Sequence, residues 1–193
     1  MSLREIIKVP NPFLKVTAKP VTVIDEDILT ILDDMMETMY HANGIGLAAT
    51  QIAIDKRLIV MDCGKTKYET QNISEEEYDE KIKDEQFESF PIKMINPEII
   101  SFGKNLEEKE EGCLSIPGYN AKIKRPSSLK VKYTDENKKD NIIDAEGLLA
   151  TCIQHEIDHL EGILFIDYLS KLKKTMIIKK LSKQKKAIER IVV

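Results

Sequence analysis

The chain holds 193 residues, 42% hydrophobic and 32% charged, with 29 basic residues against 33 acidic ones and a net charge of −4. That length supports one domain with a sizeable core. The near-balance of charge argues against a general nucleic-acid binder or a DNA-binding protein, and no apolar run reaches the ~18 residues of a membrane span.

The opening stretch, MSLREIIKVPNPFLKV, has charges interrupting every apolar segment and does not read as a signal peptide. Three cysteines, Cys63, Cys113 and Cys152, are too few and too odd in number for a disulfide framework. A cytoplasmic chain with free thiols is the expectation.

In chain order, a helix is predicted over 25–40, where Ile28, Ile31, Leu32, Met35 and Met39 recur on one helical face. Asp25 suits its N-cap and Asn43-Gly44 its stop. The glycine-rich 44–51 lacks phosphate-loop spacing, and its residues alone predict a glycine turn entering a strand. Short strands are predicted at 58–61, at 92–95 ending on Asn96-Pro97, at 99–102, 121–124, 129–133 and 141–145. Residues 65–88 are polar and read as a surface insertion. Residues 171–190 carry eight lysines and Arg190 against Glu189 alone, a basic amphipathic helix whose apolar seam would be Leu172, Met176 and Leu181. The predicted class is α+β: short, mainly antiparallel β-strands around a central motif helix, with an N-terminal helix and a C-terminal helix.

The motif helix carries the chemistry. His155-Glu156-Ile157-Asp158-His159 is an HExxH sequence within a proline-free stretch that ends at Gly162. Residues at i and i+4 share a helix face, so His155 and His159 can reach one metal ion. Glu156 lies within reach of a water there and suits a general base. A catalytic metal needs a third protein ligand and an open position. The extended zinc-protease frame would place a histidine at 165, where this chain has Phe165, and residues 171–188 hold no acid to replace it. The third ligand is therefore sought among the cysteines. Cys152 stands seven residues from His159, a rise of ~10.5 Å, and reads as a buried small hydrophobe. Cys63 follows an apolar strand with no polar setting. Cys113, in Glu110-Glu111-Gly112-Cys113-Leu114-Ser115, has the best setting.

GIGLAATQ (44–51), EGCLS (111–115) and QHEIDH (154–159) resemble the three motifs of the peptide deformylases, in the family's order. INPEI (95–99) and LEGILFIDYLS (160–170) extend the resemblance across most of the chain. It implies one catalytic domain over 1–193 that removes the formyl group from formyl-methionyl nascent polypeptides and releases formate. It further implies that Cys113, His155 and His159 bind one divalent metal, Fe(II) by expectation, with Zn, Ni or Co able to replace it. Glu156 would carry the proton, and the Gln51 amide and Leu114 backbone N–H would stabilise the oxyanion. Ile45, Gly46, Gly112 and Leu148 would meet the peptide and its methionine side chain. The resemblance also makes the basic C-terminal helix a docking element for the ribosome. Asn43 and Asn120 stand where many bacterial members carry an acid and an arginine, so rim contacts to the peptide should differ. Thr151 and Lys109 replace commonly apolar neighbours of the methionine pocket. An HExxH endopeptidase and an inactive deformylase-like binding module are the competing readings.

Overall fold

The computed structural model describes residues 2–64 and 89–191, so the predicted insertion at 65–88 lies outside the described residues. A helix α1 (Glu26–His41) opens the regular structure. The Asp25 carboxylate accepts the Ile28 N–H at 3.0 Å, satisfying one donor of its first turn. The helix ends where Asn43 takes a positive φ of 54°.

Strands β1 (Gly46–Ala48), β2 (Leu58–Asp62) and β3 (Pro91–Phe102) follow, then β4 (Leu106–Gly112) and β5 (Asn120–Pro126), then β6 (Ser128–Thr134) and β7 (Asp140–Glu146). One sheet has the order β1-β2-β3-β6-β7, and β4 pairs with β5 in a second. Every one of these ladders is antiparallel. Helices α2 (Gly147–Leu160) and α3 (Lys171–Ile191) follow β7 among the described residues.

Both faces of β2 are covered, which explains its unbroken apolar run. Leu58 and Val60 pack with Leu32, Met35 and Met39 of α1. Ile59 and Met61 point the other way, into a cluster with Ala150, Ile153 and Leu160 of α2 and with Met94, Val131 and Ala145. A strand buried on both faces needs no polar alternation. Helix α2 thus lies against the sheet on one side and is free to turn Cys152, His155, Glu156 and His159 toward β1 and β4.

Three predictions need correction. The strands expected at 92–95 and 99–102 are one strand, β3, which runs through Asn96-Pro97 with shifts of register against β6. Asn96 takes a positive φ of 52° there, and its side-chain amide bonds both the N–H and the C=O of Val21 at 2.8 Å. Strand β4, with the sequence LEEKEEG, was not predicted, because it has no apolar alternation. In α3, Leu172 and Met176 are 73% and 62% exposed. The side that packs is Ile177, Ile178 and Leu181, against Leu164, Phe165 and Ile166.

Helix α2 stops sharply. The N–H of Ile163 bonds the Asp158 carbonyl at 2.8 Å and that of Gly162 bonds the His159 carbonyl at 3.1 Å. Gly162 takes a φ of +70° in this turn, and a methyl there would lie 2.7 Å from the Lys15 carbonyl oxygen. Glycine is needed both for the backbone angle and for the close approach.

Candidate metal centre

Two elements bring the candidate ligands together. Helix α2 supplies His155 and His159, and the turn after β4 supplies Cys113. Their ligating atoms all lie within 4.8 Å of one another. Cys113 Sγ is 3.1 Å from His159 Nε2. Among the described residues this is the one group of three such side chains, so Cys113 and not Cys63 joins the histidines. Cys152 sits in the apolar cluster at 5% exposure, as expected of a small hydrophobe, yet its thiol also borders the cavity beside the centre.

That cavity has a volume of about 430 Å³. Its lining includes Ile45, Gly46, Gln51, Gly112, Cys113, Leu114, Leu148, His155 and Glu156, so the predicted site residues converge on one space. His159 is 1% exposed beneath it. Asn43 and Thr151 also face the cavity. Lys109 is not part of the lining: its Nζ pairs with Glu107 at 3.2 Å and lies above Gly147. Asn120 pairs with Gly112 across the β4–β5 ladder.

The Gln51 side chain is held in one orientation. Its Oε1 accepts the Ala48 N–H at 2.8 Å, and its Nε2 donates to Ser115 Oγ at 3.2 Å and reaches Cys113 Sγ at 3.5 Å. The amide N–H₂ therefore points toward the cysteine.

Glu156 is 4% exposed, and its Oε2 has no hydrogen-bond partner. Burial pushes its carboxyl up to about 7, against the pull of His155. A carboxylate that is buried, unpaired and close to neutral titration can both accept and release a proton near physiological pH. Strand β1 passes so close that a methyl at Gly46 would lie 2.4 Å from Glu156 Oε1.

The two imidazoles are held differently. Burial and the neighbouring positive charges hold His159 well below its ordinary value, so it is a neutral donor. Burial also opposes charge on His155, but Cys113, Glu111 and Glu156 outweigh it and push its pKa up to about 10. One thiolate and two imidazoles suit a divalent transition metal, and three protein ligands leave a position open. The donor set fits a catalytic metal.

Sequence reasoning left two neighbours unassigned. Glu111 Oε2 lies 2.9 Å from His155 Nδ1, which leaves His155 Nε2 available to a metal. Arg125 of β5 grips Glu111 with two N–H groups, at 2.5 and 3.0 Å. Burial would raise the Glu111 carboxyl, but the hydrogen bonds from His155 and Arg125 outweigh it and hold it below the carboxylate range. Glu111 was visible inside the EGCLS motif, whereas nothing in sequence singled out Arg125.

The family model described as polypeptide deformylase matches residues 3–175. A peptide deformylase of Rhizobium meliloti (strain 1021) is 45% identical over 186 residues, covering 96% of each chain. One from Pelagibacter ubique (strain HTCC1062) is 48% identical over 185 residues, again covering 96% of each. The crystal structure of peptide deformylase from Ehrlichia chaffeensis superimposes with a TM-score of 0.83 at 38% identity, over 96% of this chain and 98% of that one.

Proposed function

The chain belongs to the polypeptide deformylase family, and we propose that Cys113, His155 and His159 hold its metal while Glu156 moves the proton of its reaction. It is a metal-dependent hydrolase that removes the N-terminal formyl group from formyl-methionyl nascent polypeptides. The observation that carries the assignment of roles is a Cys-His-His donor set beside a buried, unpaired carboxylate on the same helix.

The metal, for which we take Fe(II), supplies Lewis-acid polarisation and a water of lowered pKa when bound. Glu156 takes the proton of the attacking water and delivers it to the departing amine. Negative charge develops on the formyl oxygen. The Gln51 N–H₂ and the Leu114 backbone N–H meet it, and the fixed Gln51 amide has little reorganisation to undergo. The peptide lies extended between the backbones at Gly46 and Gly112. Its methionine side chain enters the cavity past Ile45 and Leu148, both half exposed and ready to be covered. A formyl carbon bears only hydrogen, so a site crowded by Glu156 against Gly46 accepts formyl and rejects acetyl.

The comparison of formyl- and acetyl-methionyl tripeptides tests this reading. Formate should be released from the first, nothing from the second, and release should stop with a chelator and resume with Fe(II). Hydrolysis of internal, unformylated peptide bonds would favour the endopeptidase instead.

Helix α3 extends beyond the matched residues, and its exposed Lys171, Lys173, Lys179, Lys180 and Lys183 suit an anionic partner. We take the ribosome as that partner, in keeping with a cytoplasmic enzyme acting on nascent chains. Among the described residues no helix is long and apolar enough to cross a membrane. Removing α3 would strip Leu181 from the core, so charge reversal is the cleaner test. Lys179→Glu with Lys183→Glu should weaken co-sedimentation with ribosomes while leaving formate release from a tripeptide intact. Undiminished co-sedimentation would contradict the assignment.

A further inference from the structure

Asp158 stands between the two histidines on α2, outside the cavity lining, and Tyr168 is half exposed on the turn before α3. Both are joined to the metal centre by a closed loop of side chains. Arg125 Nη1 donates to Asp158 Oδ2 at 2.8 Å while its other N–H groups hold Glu111. Glu111 Oε2 meets His155 Nδ1 at 2.9 Å. His155 and Asp158 are one turn apart on the same helix, so the loop returns to its starting element. The Tyr168 hydroxyl donates to Asp158 Oδ2 at 2.9 Å, and the Arg125 guanidinium sits 4.9 Å above the Tyr168 ring.

We propose that Arg125, Asp158 and Tyr168 are positioning residues that fix the Glu111 carboxylate and, through it, the angle of the His155 ring toward the metal. The inference rests on His155 being a metal ligand. A carboxylate holding a histidine by one oxygen is free to rotate unless its second oxygen is held too. The arginine fork holds both oxygens and so defines the carboxylate plane, which a lysine cannot do. An arginine facing one carboxylate has N–H groups to spare, and Asp158 occupies one of them. Arg125 and the side chain of Glu111 are 7% and 4% exposed, so water does not compete for these bonds. Tyr168 closes the outer end, anchoring Asp158 by its hydroxyl and flooring Arg125 with its ring.

The test loads the full chain with Co(II) and follows visible absorption and release to a chelator. Asp158→Asn keeps the shape of the side chain and removes its charge. It should release Co(II) faster by ~10–100-fold, the range for losing a partner of a ligating histidine. Tyr168→Phe should do so by about fivefold, as for one partly exposed hydrogen bond. Both should shift the Co(II) bands while circular dichroism stays that of the parent. Arg125→Lys should fail to restore parent-like release. In a Glu111→Gln background, Asp158→Asn should add almost nothing, because its route to His155 is already cut. Parent-like release and spectra in folded Asp158→Asn would overturn the proposal, as would an effect fully additive with Glu111→Gln. Co(II) binding by the parent, lost in His155→Ala, tests the ligand assignment separately.

Discussion

A methyl group at position 46 would lie 2.4 Å from Glu156 Oε1, 3.0 Å from its Cδ and 2.8 Å from Cys152 Sγ. Ordinary contact begins near 3.4 Å, so Gly46→Ala demands a retreat of about 1 Å by the Glu156 carboxylate. The helix gives it little room. Glu156 and Cys152 are one turn apart on the same face of α2, both nearly buried, and the opposite face is packed on the sheet. The β1 backbone is equally constrained by its pairing of Gly46 with Met61. Displacement by ~1 Å of a group that moves the proton costs on the order of 10² in rate. Overpacking a buried site costs ~1–3 kcal/mol of stability. Gly46→Ala should therefore fold and bind metal, melt at a lower temperature, and lose about two orders of magnitude in kcat for formyl-methionyl peptide. Gly44→Ala is the matched control: its methyl meets the end of the flexible Leu114 side chain at 2.7 Å, and the loss should be much smaller. A formate-release assay with metal content measured alongside decides it. Parent-like kcat in Gly46→Ala would refute the claim that Glu156 acts from where the structure holds it.

Gln51→Ala should lower kcat by ~10²–10³ through loss of one oxyanion donor, and Gln51→Glu should not restore it, because a carboxylate cannot donate. Steady-state kinetics at equal metal occupancy checks both, and near-parent kcat in either would remove Gln51 from the chemistry. Asp62 joins the two flanks of the 65–88 segment, accepting the Gly64 and Phe90 backbone N–H groups together with the hydroxyls of Tyr40 and Ser89. Burial raises its pKa, but hydrogen bonds from Ser89, Tyr40, Phe90 and Gly64 outweigh it and hold it below the carboxylate range. Its contribution to stability is thus complete above the unfolded value of ~3.9 and is lost as pH falls through the lower folded value. Asp62→Asn should cost ~1–3 kcal/mol at neutral pH and flatten the acid limb of the stability curve; an unchanged acid limb would contradict this.

The parts legible in sequence are those whose cause is local. Helix α1 announces itself through its periodicity and the Asp25 cap, and α2 through HExxH and Gly162. Strand β4 did not, because its buried position is filled by an acid. Glu111 is 5% exposed, and what replaces an apolar contact is Arg125, 14 residues away across the β4–β5 pair and outside any motif. The apparent break at Asn96-Pro97 hides a continuous β3, since Asn96 takes over backbone bonds to Val21 that the ladder does not supply. In α3 the choice of Leu172 and Met176 failed because a lysine-rich helix offers more than one apolar seam, and the surface it meets, Leu164–Ile166, selects among them. Much of the cavity's lining lies in the three motifs, whereas Leu148, Thr151 and Cys152 lie outside them. That a Gly46 hydrogen faces the Glu156 carboxylate was not legible, because closeness between β1 and α2 is a property of the packed sheet.

In the proposed mechanism Glu156 moves the proton in a site whose metal is held by Cys113, His155 and His159. The most direct test is formate release from a formyl-methionyl tripeptide by the Fe(II)-loaded chain, prepared without oxygen, beside Glu156→Gln at the same metal occupancy. The parent should release formate, and the variant should lose ~10²–10⁴ in rate with its metal retained. A fully loaded parent that releases no formate, or a Glu156→Gln variant that keeps pace with it, would refute that mechanism.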